Sequence, residues 1–358
     1  MTPKPRSNRQ PGTLAAHHPK PHAGWTPNRN GEAQASRHFP SGFHKLLTTP
    51  IAALCCIAIA CACACIGCAG GDDSHPELKT VTYDGKQWRQ NGDMLSICLI
   101  GHDKGWAEPV EGLNGQADVI VVIALDKRLG KLTGIVVPRD TMVDVDRTFM
   151  GTDTFRGTKN MQICLAFSYG KDDASSSELV CTAVSRILQN TPVPYYFTTG
   201  LDGFSALADS AGGITLEALE TIPETSIVKG KTVTLVGNEA LAYIRWRDEE
   251  KLGSALDRQE RQRQFISILC SKLLEESNSN PNLLIDFFNL MSEHSTTNLS
   301  ISDFGDIASS LVDRDDVEIN FISLKGESIY NEKSSWEQFI PDKDALYRTI
   351  LEVYYEPV

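Results

Sequence analysis

Residues 117–140 read ADVIVVIALDKRLGKLTGIVVPRD. Two apolar, β-branched runs, Asp118 to Leu125 and Leu132 to Val137, flank a short polar stretch from Lys127 to Lys131. Neither run alternates with polar residues as a half-wet strand would; strands this continuous are central and covered on both faces. The second run ends in Pro138-Arg139-Asp140. Burying an unpaired charge is too costly for a core. Arg139 and Asp140 therefore either surface into water or stand at the mouth of a site.

The same character extends outward. Met94 to Gly101, MLSICLIG, is another continuous apolar run, and before it Asp84-Gly85 sits between short alternating runs, a hairpin signal. Beyond Asp140 the spacing predicts helices over Asn160 to Tyr169, Ser176 to Gln189 and Leu201 to Ser210, the last stopped by Gly212-Gly213. GITLEAL and VTLVG read as short strands and Glu239 to Tyr243 as a short helix. RQERQRQFISILCSKLLEES is a long amphipathic helix with Phe265, Leu269 and Leu273 in register. One or two further helices follow Asn280, then a strand near Val317 to Leu324 and a helix from Asp342 to Tyr354. Strands covered on both faces and interleaved with helices give an α/β class. The expected architecture is a three-layer α/β/α sandwich around a central mixed sheet, in one domain over residues 72–358.

The net charge of −12 over 358 residues is unevenly spread. Residues 1–45 carry seven Lys or Arg against the single acid Glu32 and are rich in Pro, Gly, His, Asn and Ser, a composition that cannot bury enough surface to fold. From Asp72 onward 27 basic residues face 45 acidic ones. A body so acidic excludes non-specific nucleic-acid binding, which rests on neutralising phosphates. Any phosphate ligand must meet a local arginine cluster. Between these parts, residues 46–71 are uncharged, long enough for one membrane-spanning helix. The charge asymmetry places the N-terminus in the cytoplasm and residues 72–358 outside, in a single-pass protein of the cell membrane.

Six of the ten cysteines fall in that span, in no metal-ligand spacing. Cys68, before a Gly-Gly-Asp stretch, gives a second reading, anchorage by lipidation. Of the remaining Cys98, Cys164, Cys181 and Cys270, the best candidate disulfide for an exported domain joins Cys164 to Cys181 on consecutive expected helices.

No HExxH, GxxxxGK[ST] or GxSxG occurs. What stands out is charge attached to apolar elements. Asp103 follows one strand, Asp118 begins another, and Arg139 and Asp140 end a third. Arg245 and Arg247 follow a short helix; Arg258, Arg261, Gln262 and Arg263 open the long one. Each has a plain alternative as a turn or surface residue. As a set at one edge of a sheet, two carboxylates suit Mg²⁺, which prefers oxygen ligands and keeps waters for substrate phosphates. Guanidinium forks match phosphate oxygens two at a time.

With these residues in view, the chain from about Thr80 to Tyr355 resembles the LytR-CpsA-Psr family of membrane-anchored cell-wall enzymes. The segments that carry the resemblance are VTYDGKQWRQNGDMLSICLIGHD, ADVIVVIALDKRLGKLTGIVVPRDTMVDV, LDGFSALADSAGGITL, and LVGNEALAYIRWRD followed by DRQERQRQF. The resemblance implies a phosphotransferase that moves a phosphoglycan from a polyprenyl-pyrophosphate carrier to a peptidoglycan sugar hydroxyl and releases polyprenyl phosphate. It implies Asp103 and Asp118 as ligands of Mg²⁺ or Mn²⁺, and Arg139, Arg245, Arg247 and Arg258, assisted by Gln262, as the pyrophosphate clamp. Asp140 would orient Arg139, and the lipid would lie in an apolar tunnel. The alternatives are hydrolysis of the same carrier, or a weakly active binding or assembly factor. Three departures bear on this choice. Gln116-Ala117 stands where many members have Arg-Ser, Gln162 where a Lys is usual, and Ala255-Leu256-Asp257 where Asp-x-Gly is usual.

Overall fold

The computed structural model describes residues 78–103, 114–149, 151–248, 251, 253–280, 282–311, 314, 316–332 and 336–358. The expected basic tail (1–45), the expected membrane span (46–71) and Cys68 lie outside them. Among the described residues no helix is long and apolar enough to cross a membrane. The described residues form one compact unit.

The strands are β1 (Thr80–Tyr83), β2 (Lys86–Gln90), β3 (Met94–His102), β4 (Ala117–Asp126), β5 (Lys131–Val136), β6 (Met142–Thr148), β7 (Phe155–Gln162) and β8 (Tyr195–Gly200). They continue with β9 (Ile214–Glu217), β10 (Thr232–Leu235), β11 (Ser295–Thr297), β12 (Glu318–Ser323), β13 (Gly326–Asn331), β14 (Trp336–Pro341) and β15 (Tyr355–Pro357). A 3₁₀ helix spans Ile163–Tyr169. The α-helices are α1 (Asp173–Ile187), α2 (Leu201–Ser210), α3 (Gly237–Arg245), α4 (Ser254–Ser277), α5 (Asn282–Glu293), α6 (Ile301–Ser309) and α7 (Lys343–Tyr354).

Six strands make the central sheet, in the order β11-β8-β3-β4-β5-β12. β4 runs antiparallel to both of its neighbours, β3 and β5, while β8 joins β3 and β12 joins β5 in parallel, so the sheet is mixed. The opening stretch is its middle. Along β4, Ile120, Val122 and Ala124 enter one core with α1, α7 and the 3₁₀ helix; Val119, Val121 and Ile123 enter a second with α2, α3 and α4. Both faces are dry, which is why β4 and β5 show no alternation. The Asp84-Gly85 hairpin also forms, with Tyr83 opposite Lys86 and positive φ at both turn residues (49° and 73°).

Three expectations change. Asn160 to Tyr169 is not one helix: its first residues finish β7, which pairs antiparallel with β6, and only Ile163–Tyr169 coil, as 3₁₀. β7 is polar along most of its length, so ladder pairing rather than an apolar face determines its shape. The 3₁₀ segment is pinned to the end of β5, where Ile163 N donates to Thr141 O (2.8 Å) and Cys164 N to Arg139 O (3.0 Å). The hairpin β13–β14 goes unread in the sequence because its strands are mostly exposed and carry no periodic apolar face. Cys164 and Cys181 do not pair. Cys164 packs against Arg139, whereas the Cys181 thiol donates to Tyr195 O (3.9 Å) and lies in one core cluster with Cys98.

Candidate active site

β3 and β5 end, and β4 begins, at the same edge of the sheet: His102 lies opposite Ala117, and Val136 opposite Val121. Asp103, Asp118, Arg139 and Asp140 are thereby delivered to one place by strands whose interiors are fixed by packing. The Asp103 carboxylate accepts from Gln116 N (2.7 Å), which locks the approach to β4.

Asp118 is the hub. Arg139 Nη1 pairs with its Oδ1, and Arg258 Nη1, from the first turns of α4, lies 3.6 Å from its Oδ2. Arg139 Nη2 donates to Gln116 Oε1 and, at 3.5 Å, to Cys164 Sγ. Its Nε is buried and makes no hydrogen bond; Asp140 Oδ1, at 3.5 Å, balances its charge without satisfying it. Burial works against the charge on Arg139, but Cys164, Asp118 and Asp140 more than offset it and the guanidinium stays above its ordinary value. Since burial pushes the Cys164 thiol up to about 11, that sulfur is a neutral acceptor, and the two carboxylates are the charges that hold Arg139. Arg258 is lowered, by burial first and then by Arg139 and Arg247, with Asp118 and Asp140 working the other way. Three like charges crowd a small volume held by two acids, an arrangement suited to a multiply charged anion.

Arg247 is fixed by Ser254 Oγ, which accepts from its Nε (2.9 Å), and by Glu337 at 3.5 Å. Glu337 also accepts from Gly253 N (3.0 Å), tying β14 to the start of α4. Gln162 donates through Nε2 to Asp140 Oδ1 and to Glu337 O, both at 2.8 Å, and Phe339 N donates to Asp140 O (2.8 Å). An open groove of about 1070 Å³ runs from Arg139, Asp140 and Arg247 past Lys159 and Gln162 to Tyr330 and Trp336.

Of the residues singled out from the sequence, Asp118, Arg139, Asp140, Arg247 and Arg258 form one charge cluster, with Asp103 beside it. Arg245 lies half-buried at the end of α3. Gln262 is buried, and its amide donates to Ile244 O (3.1 Å), so it braces α3 against α4. Cys164, Ser254 and Glu337 belong to the site and carried no signal. Glu337 lies in a stretch without motif, far along the chain.

The departures become physical here. Gln116 supplies an acceptor to Arg139 where an arginine would add a fourth cation. Gln162 gives Asp140 a neutral donor where a lysine would give a charged one. Burial, and secondarily Glu337, raise the Asp140 carboxyl against the pull of Arg139, Arg247 and Arg258. A folded-state value above that of the unfolded chain means that ionising Asp140 costs stability as pH rises from about 4 through its own raised value. Gln162→Lys is expected to lower that value. Its stability advantage over the parent should be greatest above this window and fade below it, as read by melting at a series of pH values and by carboxyl carbon NMR of Asp140.

Against the same strands, on the face of α2, α4, α5 and α6, lies a cavity of about 240 Å³ whose lining is almost wholly apolar. Ile97, Leu99, Ile123 and Leu132 come from the sheet; Phe204, Leu269 and Phe288 are among those from the helices.

The polyisoprenyl-teichoic acid–peptidoglycan teichoic acid transferase TagU of Bacillus licheniformis is 28% identical over 220 residues, which is 61% of this chain and 64% of that protein. TagV of Bacillus subtilis, named for the same transfer, is 29% identical over 243 residues, 65% of this chain and 57% of that protein. The chain thus spans less than two thirds of the length of these curated relatives. The crystal structure of B. subtilis TagV superposes with a TM-score of 0.56 at 23% identity, covering 73% of this chain and 97% of that one. Protein gbs0355 of Streptococcus agalactiae superposes with a TM-score of 0.59 at 21% identity, covering 73% and 86%. These two establish a shared mixed α/β fold. The LytR_cpsA_psr family model matches residues 70–350, and the chain belongs to that family.

Proposed function

We propose that this protein transfers a phosphoglycan from a polyprenyl-pyrophosphate carrier to a sugar hydroxyl of peptidoglycan, releasing polyprenyl phosphate. The observation that carries this reading is the Arg139–Asp118–Arg258 cluster, with Arg247 beside it. Three guanidiniums held by two carboxylates suit the charge of two phosphoryl groups. The names of the Bacillus relatives give a polyisoprenyl-linked teichoic acid as donor and peptidoglycan as acceptor, which supports a lipid-linked glycan donor here.

In the proposed reaction the acceptor hydroxyl oxygen attacks the phosphorus that carries the sugar. The bond from that phosphorus to the bridging oxygen breaks, and polyprenyl phosphate leaves with the hydroxyl's proton. The leaving phosphate takes that proton as it departs and, with an ordinary second pKa of about 6, passes it to water near neutral pH. Phosphoryl transfer depends chiefly on positioning and charge neutralisation, and the cluster is built for both. Asp103 and Asp118, on neighbouring strands at one edge, are the donor type that Mg²⁺ or Mn²⁺ takes, with phosphate and water completing the shell. Such a cation would neutralise charge on the phosphates. Asp118 would then serve cation and arginines together.

The apolar cavity suits the isoprenoid chain. Leu99→Trp, at its sheet wall, is expected to raise KM about tenfold or more for a long-chain donor and to leave a donor with a short isoprenoid nearly unchanged. Steady-state kinetics with the two donors measure this. We also infer that residues 46–71 cross the cell membrane and hold the domain outside, next to both substrates.

The test incubates the full chain with Mg²⁺, a polyprenyl-pyrophosphate oligosaccharide and peptidoglycan fragments. A phosphodiester-linked product supports the transferase. Phosphorylated sugar released without linkage would make the protein a hydrolase. Tight lipid binding with neither product would make it a binding factor.

A further inference from the structure

Two of the cysteines hold a relation that the transfer reaction does not use. Cys98 sits in the middle of β3 and is fully buried; Cys181 lies on α1 and is 8% exposed. β8 runs beside β3 with Tyr196 opposite Cys98, and the Cys181 sulfur is 3.9 Å from the carbonyl oxygen of Tyr195. Helix α1 thus packs against β8 beside Cys98, and both cysteines are buried with Tyr196 in one core cluster. The pair is unequal in access. Cys181 lines a surface pocket together with Glu178, Arg186, Tyr196 and Asn298, while Cys98 lies behind it with no face to solvent.

We propose that Cys98 and Cys181 are a disulfide-forming pair, oxidised by exchange with the disulfide of a dithiol oxidant once the domain has left the reducing cytoplasm. The proposal rests on the reading of this domain as external. The order of events follows from access. The Cys181 thiolate attacks one sulfur of the oxidant's disulfide, forming a mixed disulfide and releasing the first thiolate. Cys98 loses its proton and attacks the Cys181 sulfur, which closes the internal bond and releases the second thiolate. Two electrons and two protons end on the oxidant, now a dithiol. In the reduced protein the neighbouring Cys181 sulfur and burial hold the Cys98 thiol well above its ordinary value. The closed loop contains Asp103, Asp118, Arg139 and Asp140, so the bond staples the segment that carries the clamp. Cys164 accepts from Arg139 and Cys270 lines the apolar cavity, and neither takes part.

The experiment places the purified, reduced full-length chain in a glutathione redox buffer, then alkylates it and maps its peptides by mass spectrometry. A Cys98–Cys181 cross-linked peptide is expected, with a melting temperature about 10 °C above that of the reduced chain. Cys98→Ser should trap one glutathione on Cys181, and Cys181→Ser should leave Cys98 unmodified. Alkylation of both cysteines in the parent, or a bond from either to Cys164 or Cys270, overturns the proposal. Alkylating intact cells before lysis tests the location separately. Reduced Cys98 and Cys181 there, in a chain that cross-links in the redox buffer, would count against the external placement and not against the pair.

Discussion

Arg139→Lys is expected to lower the rate of transfer by about 10²-fold and Arg139→Ala by about 10³-fold, the range seen when one preorganised donor is removed from such a site. Arg139 spends Nη1 on Asp118 and Nη2 on Gln116 and Cys164, which fixes the plane of the fork at the mouth of the groove. A lysine keeps the charge but not the fork, so it cannot both hold Asp118 and meet a phosphate oxygen in a set direction. The loss should fall mainly on kcat, because charge on the bridging oxygen grows as the bond breaks and a directed donor counts most there. Folding should survive either change, since Asp118 retains Arg258 at 3.6 Å. Single-turnover rates on a defined lipid-linked donor, with a thermal melt of each variant, measure both parts. A lysine variant of full activity would remove Arg139 from the chemistry.

How much of this was legible in the sequence depends on where each residue's partners lie. β4 and β5 could be read because both their faces are dry and every residue from Val119 to Leu125 is buried, so composition alone reports their environment. Strand ends then brought Asp103, Asp118 and Arg139 to one edge without knowledge of any contact. The hairpins β6–β7 and β13–β14 could not be read in the same way. Apart from the alternation of Val143 and Val145 in β6, they owe their shape to cross-strand hydrogen bonds, yet they supply Gln162 and Glu337 to the site. α4 shows a second limit. Arg258, Arg261 and Gln262 fall within just over one turn, and spacing puts all three on neighbouring parts of the helix. Only the neighbours separate them: Arg258 turns to Asp118, Gln262 to a carbonyl of α3, and Arg261 into the protein interior.

That third residue carries the largest expected effect on stability. Arg261 has no accessible surface, rare for a guanidinium. Its Nε donates to Tyr243 O (2.8 Å), its Nη2 to Trp246 O, and its Nη1 pairs with Glu220. The guanidinium also lies over the rings of Tyr243 and Trp246, with centroids 5.9 and 5.3 Å away. It thus joins α4, the end of α3 and the segment after β9 through one charge. Replacing a well-paired buried ion with an apolar group of similar shape costs little, but deleting one member strands the others. Arg261→Ala is expected to destabilise the domain by about 3 kcal/mol, with Glu220 left facing a void and two carbonyls losing their donor. The double variant Glu220→Gln, Arg261→Met should recover a substantial part of that loss. Because Tyr243 and Trp246 hold the backbone around Arg245 and Arg247, activity should fall with Arg261→Ala even at temperatures where the chain remains folded. The effect should appear as a raised KM for the lipid-linked donor, since a loosened Arg247 weakens ground-state binding before it affects the bond that breaks. Denaturant titration of both variants, with kinetics at low temperature, separates the brace from the clamp. An alanine variant as stable as the parent would show that the burial of Arg261 is not what holds α3 to α4.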